Sequence, residues 1–157
     1  MKITLIAVGK TEETWLRAGI REYEMRIRHY LPFSILEISS LKNAGSLSQT
    51  EQNSREAELI LRQLAPGDTL VLLDEQGAAM RSVEFAAFLN KQFSTGGKNL
   101  VFVVGGPFGF DPEIKKKARF ILSLSKMTFS HQMVRLFFTE QLYRALTILK
   151  GESYHHE

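Results

Sequence analysis

Apolar residues along the chain follow two rhythms. Short uninterrupted runs occur at residues 2–8 (KITLIAV), 33–38 (FSILEI), 69–74 (TLVLLD), 99–104 (NLVFVV) and 120–124 (FILSL). Runs this short, closed by Gly9, Gly77 or Gly105 and rich in valine and isoleucine, predict strands buried on both faces. Between them apolar residues recur at helical spacing. Leu16, Ile20, Tyr23 and Ile27 make one stripe of a helix over 12–28, which Thr11 is expected to cap. Ala57, Ile60, Leu61 and Leu64 mark a helix over about 51–64, and Phe85, Phe88, Leu89 and Phe93 one over 82–94 that follows Gly77 and ends at Gly96-Gly97. Asp111-Pro112 reads as the cap and first turn of a short helix, and 131–150 as a long terminal helix with Ser130 at its N-cap. The serine-rich stretch after Ile38 reads as a long loop.

Strands alternating with helices at crossover spacing give an α/β fold: three layers, a mostly parallel sheet with helices on both faces, in one domain over 1–157. The 44% hydrophobic content of these 157 residues supports a single core of useful size. Cysteine is absent, which excludes disulfides and thiolate metal sites. The histidines at 29, 131, 155 and 156 have no metal-ligand spacing, so no metal is expected. The apolar run Ile3 to Val8 is too short for a signal core or a membrane span, and no later run is long enough, so the expectation is a cytoplasmic protein without a membrane partner.

In an open parallel sheet, ligands bind beyond the carboxyl ends of the strands. Three such ends carry unusual loops: 73–77 (LDEQG), 105–109 (GGPFG) and 124–129 (LSKMTF). The glycines do not form the dinucleotide pattern, and no phosphate-binding G-K-[ST] loop or nucleophile elbow is present. Without thiols, any RNA modification must proceed by direct transfer rather than covalent attack on a base ring. The terminal helix carries a stripe of Val134, Phe137, Phe138, Leu142, Ala145, Leu146 and Leu149, with Met133, Leu136 and Tyr143 outside it. Apolar residues on more than one helix face mean either burial within the domain or a surface shared with a partner, and a homodimer interface is the favoured expectation. Glu140 and Arg144 are spaced as an ordinary helix-surface pair. The net charge of +3 permits a polyanionic partner without requiring one; Lys115–Arg119 and the arginines at 17, 21, 26 and 28 read first as solvated helix faces.

The start MKITLIAVGK, the LDEQG and VVGGPFG loops, LSLSKMTFSHQMVR, EQLYRA and the ending SYHHE together resemble one family along the whole chain. It is the RlmH-type ribosomal RNA methyltransferase family, a minimal form of the SPOUT class, and the resemblance is densest from Leu122 to Arg144. It implies a homodimer, with a C-terminal trefoil knot, that transfers methyl from S-adenosyl-L-methionine to N3 of a pseudouridine in 23S ribosomal RNA. Carried onto this chain, it implies cofactor binding by Leu73, Gly105, Leu124, Ser125, Lys126, Met127, Thr128 and Phe129. It further implies substrate contacts from Arg135, Arg144, Tyr154 and His155. Arg135 is the candidate for holding an RNA phosphate or the base anion, and His155 for a base or an RNA contact. Each of these residues also has a packing reading. The tail of one subunit is expected to reach the other's cofactor site. Ser130 stands where such proteins often have proline, and His156 where they have lysine or arginine; the second difference removes a phosphate contact. With no separate RNA-binding domain, the assembled ribosome is the expected substrate. The competing readings are a non-catalytic ribosome- or RNA-binding protein on the same fold, and a methyltransferase of the same class acting on a different RNA.

Overall fold

A computed structural model describes residues 1–157. The elements run β1 (Lys2–Val8), α1 (Thr14–Arg28), β2 (Phe33–Ile38), a 3₁₀ turn (Ala44–Ser46), α2 (Gln49–Leu61), β3 (Asp68–Ala79), α3 (Ser82–Ser94), β4 (Asn99–Val104), α4 (Pro112–Lys117), β5 (Phe120–Ser123) and α5 (Met133–Lys150). The five strands form one parallel sheet in the order β2-β1-β4-β3-β5.

Why the strands read as unbroken apolar runs is visible in their side-chain alternation. Ile3, Leu5, Val71, Leu73, Leu100, Phe102 and Val104 enter one core, shared with Ile27 of α1, Phe85 and Leu89 of α3 and Phe138, Leu142 and Leu146 of α5. The intervening Ile6, Val8, Leu70, Leu72, Val101 and Val103 enter a second core with Ala57 and Ile60 of α2 and Ile114 of α4. Side chains alternate faces along a strand, so every strand position meets helices on one side or the other. The three layers are thus α1, α3 and α5, then the sheet, then α2 and α4. Ser48 caps α2 by accepting from the Glu51 amide at 3.1 Å, and Asp111 caps α4 by accepting from the Glu113 amide at 2.7 Å.

The structure corrects several boundaries. β3 does not stop before Gly77 but continues to Ala79. Leu122 of β5 lies opposite both Leu73 and Ala78, so residues 74–77 leave the ladder as a wide bulge and the strand then resumes. Thr11 does not cap α1; Glu13 occupies that position without a side-chain bond. Thr11 is buried instead, its amide donating to Glu37 Oε2 at 2.6 Å. Helix α5 begins at Met133, but Ser130 still terminates its first turn, accepting from the Met133 amide at 3.0 Å. Its buried face is Arg135, Phe138, Thr139, Leu142, Ala145 and Leu146, while Phe137 and Leu149, placed in the apolar stripe by spacing, are exposed.

Candidate functional site

At the carboxyl edge of the sheet the three loops converge on a cleft of about 600 Å³. Each loop arrives by a different device. The β3 bulge brings Asp74, Glu75 and Gln76, closed by the Gln76 amide donating to Asp74 Oδ1 at 2.9 Å. The loop after β4 folds on itself through a Gly106–Gly109 bridge, with Gly109 at φ 78°. The segment after β5 turns through Ser125, whose hydroxyl accepts from the Met127 amide at 2.9 Å and whose carbonyl accepts from Ser123 Oγ at 2.7 Å. A hydrogen bond from Thr128 Oγ1 to Glu75 Oε2 ties the first loop to the third. Lys115 Nζ of α4 stands 3.6 Å from Asp74 Oδ2.

Leu73, Gly105, Leu124, Ser125, Met127, Thr128 and Phe129 all line this cleft; Lys126 does not, and is exposed. A smaller cavity of about 280 Å³ lies on the other side of Leu73, Leu124 and Phe129 and extends to Phe85, Phe137 and Gln141. The shared wall is apolar and is backed by Phe137, whose ring lies 4.7 Å from that of Phe129. Residues 105–110 of the glycine loop and 125–131 of the third loop and the approach to α5 supply much of the remaining lining, Lys126 excepted.

His131 lines the cleft as well, and spacing gave it no role beyond opening the last helix. Burial and the neighbouring Arg135 cation hold its imidazole below the ordinary histidine range, so it is neutral at pH 7. Because the unfolded imidazole titrates higher, near pH 6.5, the unfolded chain takes up a proton that the folded chain refuses. Stability is therefore expected to fall as pH drops through 6.5 toward the lower folded value, and to level off below it. Urea melts between pH 7.5 and 5 should show a smaller drop for His131→Gln than for the wild-type chain; equal slopes would contradict the assignment.

Arg135 takes a position very different from an RNA-facing one. It is 1% exposed. Its guanidinium donates to the carbonyls of Val8 (2.8 Å), Gly9 (2.8 Å) and His131 (3.0 Å) and to Thr11 Oγ1 (3.0 Å). Glu37 Oε2 approaches only to 3.9 Å. The cation expected to meet a phosphate or a base anion is committed to tying the end of β1 to the start of α5. Gln132 adds to this tie, accepting from the Glu12 amide and donating to the Lys10 carbonyl.

Arg144, Tyr154 and His155 form a second group on the outer half of α5, separate from the cleft within the chain. Arg144 bonds Glu140 Oε1 at 2.5 Å and His155 Nδ1 at 3.2 Å and lies 4.8 Å from the Tyr154 ring centre. Tyr154 donates to Glu140 Oε1 at 2.9 Å. Burial, Tyr23 and Glu140 raise its phenol far above the usual range, so it serves as a donor rather than a base. Arg144 Nε and His155 Nε2 are buried and have no partner. Beyond this group the tail runs back along α5, and Glu157 reaches Arg81 at the start of α3 at 2.5 Å. No three histidine, aspartate or glutamate side chains converge as metal ligands would. No helix is long and apolar enough to cross a membrane.

Comparison with known proteins adds an independent line. A family model described as "Predicted SPOUT methyltransferase" matches residues 1–155. The chain is 53% identical to the Ribosomal RNA large subunit methyltransferase H of Parabacteroides distasonis and 52% to that of Phocaeicola vulgatus, each over 157 residues and 100% of both chains. It is 48% identical to the protein of the same name from Porphyromonas gingivalis, again over 100% of both chains.

Proposed function

The chain belongs to the SPOUT methyltransferase family, and on that premise we propose that it methylates N3 of a pseudouridine in 23S ribosomal RNA, using S-adenosyl-L-methionine as donor. The observation that carries the reading is the cleft. Its volume lies in the range of small-molecule sites, and it combines apolar walls with glycine-rich and polar loops. Asp74, paired with Lys115, and Glu75 line it, and the surplus negative charge favours a cationic ligand. Leu73, Leu124 and Phe129 would hold the flat apolar part of the donor, and Gly105, Ser125, Met127 and Thr128 its polar edges through the main chain. When bound, the donor supplies a methyl group on a positively charged sulfur.

The chain's own part is to align and to accept a proton. Holding donor and base in line converts a bimolecular reaction into one of fixed geometry. The N3 proton must leave for the nitrogen to attack. His131, neutral at pH 7 and at the cleft, is the imidazole that this chain itself places to take it. Tyr154, His155 and Arg144 fit a role in holding RNA at the cleft of a second copy. A homodimer accords with the exposed Trp15, Met127 and Phe137. The proposal includes the family's knotted threading of the C-terminal segment and action on assembled ribosomes in the cytoplasm.

The test has two arms. The full chain should give saturable binding in calorimetry with S-adenosyl-L-methionine, and silence at about 1 mM donor overturns the reading. Ribosomal RNA from a strain lacking the protein should lose one methylated pseudouridine by mass spectrometry, restored by the purified chain acting on ribosomes. Naked RNA methylated as fast as ribosomes would reject the assembled-ribosome part alone.

A further inference from the structure

Helix α2 lies on the face of the sheet opposite α5, yet it touches the glycine loop from behind. Its inner face carries Ala57 and Ile60 into the second core. One turn earlier the same face presents Gln52, Asn53 and Glu56, all wholly or partly buried. Asn53 Nδ2 donates to the Phe108 carbonyl at 3.1 Å. Glu56 is 5% exposed, which is rare for a carboxylate unless it has partners. Gln52 Nε2 donates to it at 3.1 Å; burial pushes its carboxyl above the usual carboxylate range, while Gln52 and the Gly106 backbone amide act the other way. The approach is so close that a Cβ on Gly106 would lie 2.7 and 2.8 Å from the two carboxylate oxygens. Gly106 is therefore glycine because a carboxylate sits behind it.

We propose that Glu56 is a positioning residue for methyl-donor binding, setting the orientation of the peptide between Gly105 and Gly106 at the cleft wall. This rests on the reading of the cleft given above. The reason is the geometry of a trans peptide, in which N–H and C=O point in opposite directions. With the Gly106 N–H drawn back toward Glu56, the Gly105 carbonyl is turned away from α2, to the side on which the loop borders the cleft. That side offers an acceptor for a hydroxyl or amino group of the donor. If the peptide flipped, an N–H would face the ligand and Glu56 would lose its main-chain amide partner. Asn53 fixes the far side of the same turn, so the loop is held at two points by one helix.

The test is calorimetry of the full chain with S-adenosyl-L-methionine, together with methyl-transfer kinetics. Glu56→Ala is expected to weaken donor binding roughly tenfold, as loss of a buried hydrogen bond would, and to raise the donor KM while leaving the KM for ribosomes unchanged. Glu56→Gln keeps an acceptor oxygen for the Gly106 amide and should restore affinity to within about threefold of wild type. Should Glu56→Ala not fold, Gly106→Ala tests the same contact from the loop side: donor binding should fall in that variant and recover in part when Glu56 is shortened to aspartate. Donor affinity unchanged in Glu56→Ala, or equal losses in the alanine and glutamine variants, overturns the inference while the cleft reading stands. A wild-type chain that binds no donor overturns both.

Discussion

Arg135→Met is expected to cost about 3–5 kcal/mol of unfolding free energy, the usual effect of breaking a buried network built on one charge. Methionine fills a similar part of the stem's volume, so the loss isolates the guanidinium. It strands the carbonyls of Val8, Gly9 and His131 and the Thr11 hydroxyl, each of which gives up its donor in a largely buried site. With a urea dependence of about 2 kcal/mol per M, the midpoint should move down by roughly 2 M. Arg135→Lys should recover only a fraction, because a single ammonium cannot span acceptors arranged for a planar fork. A methionine variant within about 1 kcal/mol of wild type would show that the four acceptors find water and that the network is not structural. The same experiment separates the two roles considered for this residue: an RNA contact would lower transfer to ribosomes and leave the melt untouched.

The second large effect is expected at Gly77. A Cβ there would fall 2.6 Å from both the carbonyl carbon and the oxygen of Ile121, and 2.8 Å from the carbonyl carbon of Leu122. These are backbone atoms of the neighbouring strand, so no side chain can swing aside. Gly77→Ala must push β5 away from the returning end of β3, at a cost near or above the upper end of the usual 1–3 kcal/mol for overpacking. Leu73 and Leu124 flank that junction, so the shared cleft wall moves with it. Donor affinity should fall on the order of a hundredfold, the scale set by a displacement of about 1 Å. Gly45→Ala is the control: nothing lies within 4 Å of its added methyl and its φ is not positive, so stability and binding should hold. A Gly77→Ala chain that melts and binds like wild type would mean that the strands part without disturbing the cleft.

Both predictions fall where residue type or resemblance misled. The four long strands were legible because each is apolar on both faces, and the helices because their inward stripes keep helical spacing. Gly77 looked like a terminator, since glycine usually ends a strand; here it is what lets the strand return after a bulge. Arg135 was expected to contact RNA from the resemblance; the acceptors that bury it are carbonyls from a segment more than 120 residues earlier, which no local pattern reveals. His131 and Glu56 were hidden for the same reason. Their environments are made by chain segments remote in sequence, His131 by the loops after β3 and β4 that line the same cleft and Glu56 by Gly106. The three loops themselves were legible from the resemblance and from their place after the strands, though Lys126, exposed, shows that a run of neighbouring residues need not share one wall.

The order β2-β1-β4-β3-β5 also bears on how the molecule comes into being. Its rim strand is the last one synthesised, and the covering helix follows later still. A nascent chain that has emerged only as far as β4 carries the bulged margin of β3 with its main-chain groups open to any passing strand. It also has the first loop of the cleft but neither the second nor the third. Such a chain is inert toward its ligand and prone to mispairing, and both conditions end together when the final stretch arrives. Competence is thereby tied to completion of translation: a product truncated at Val104 would lack two walls of the cleft and would meet quality control as an unfinished edge.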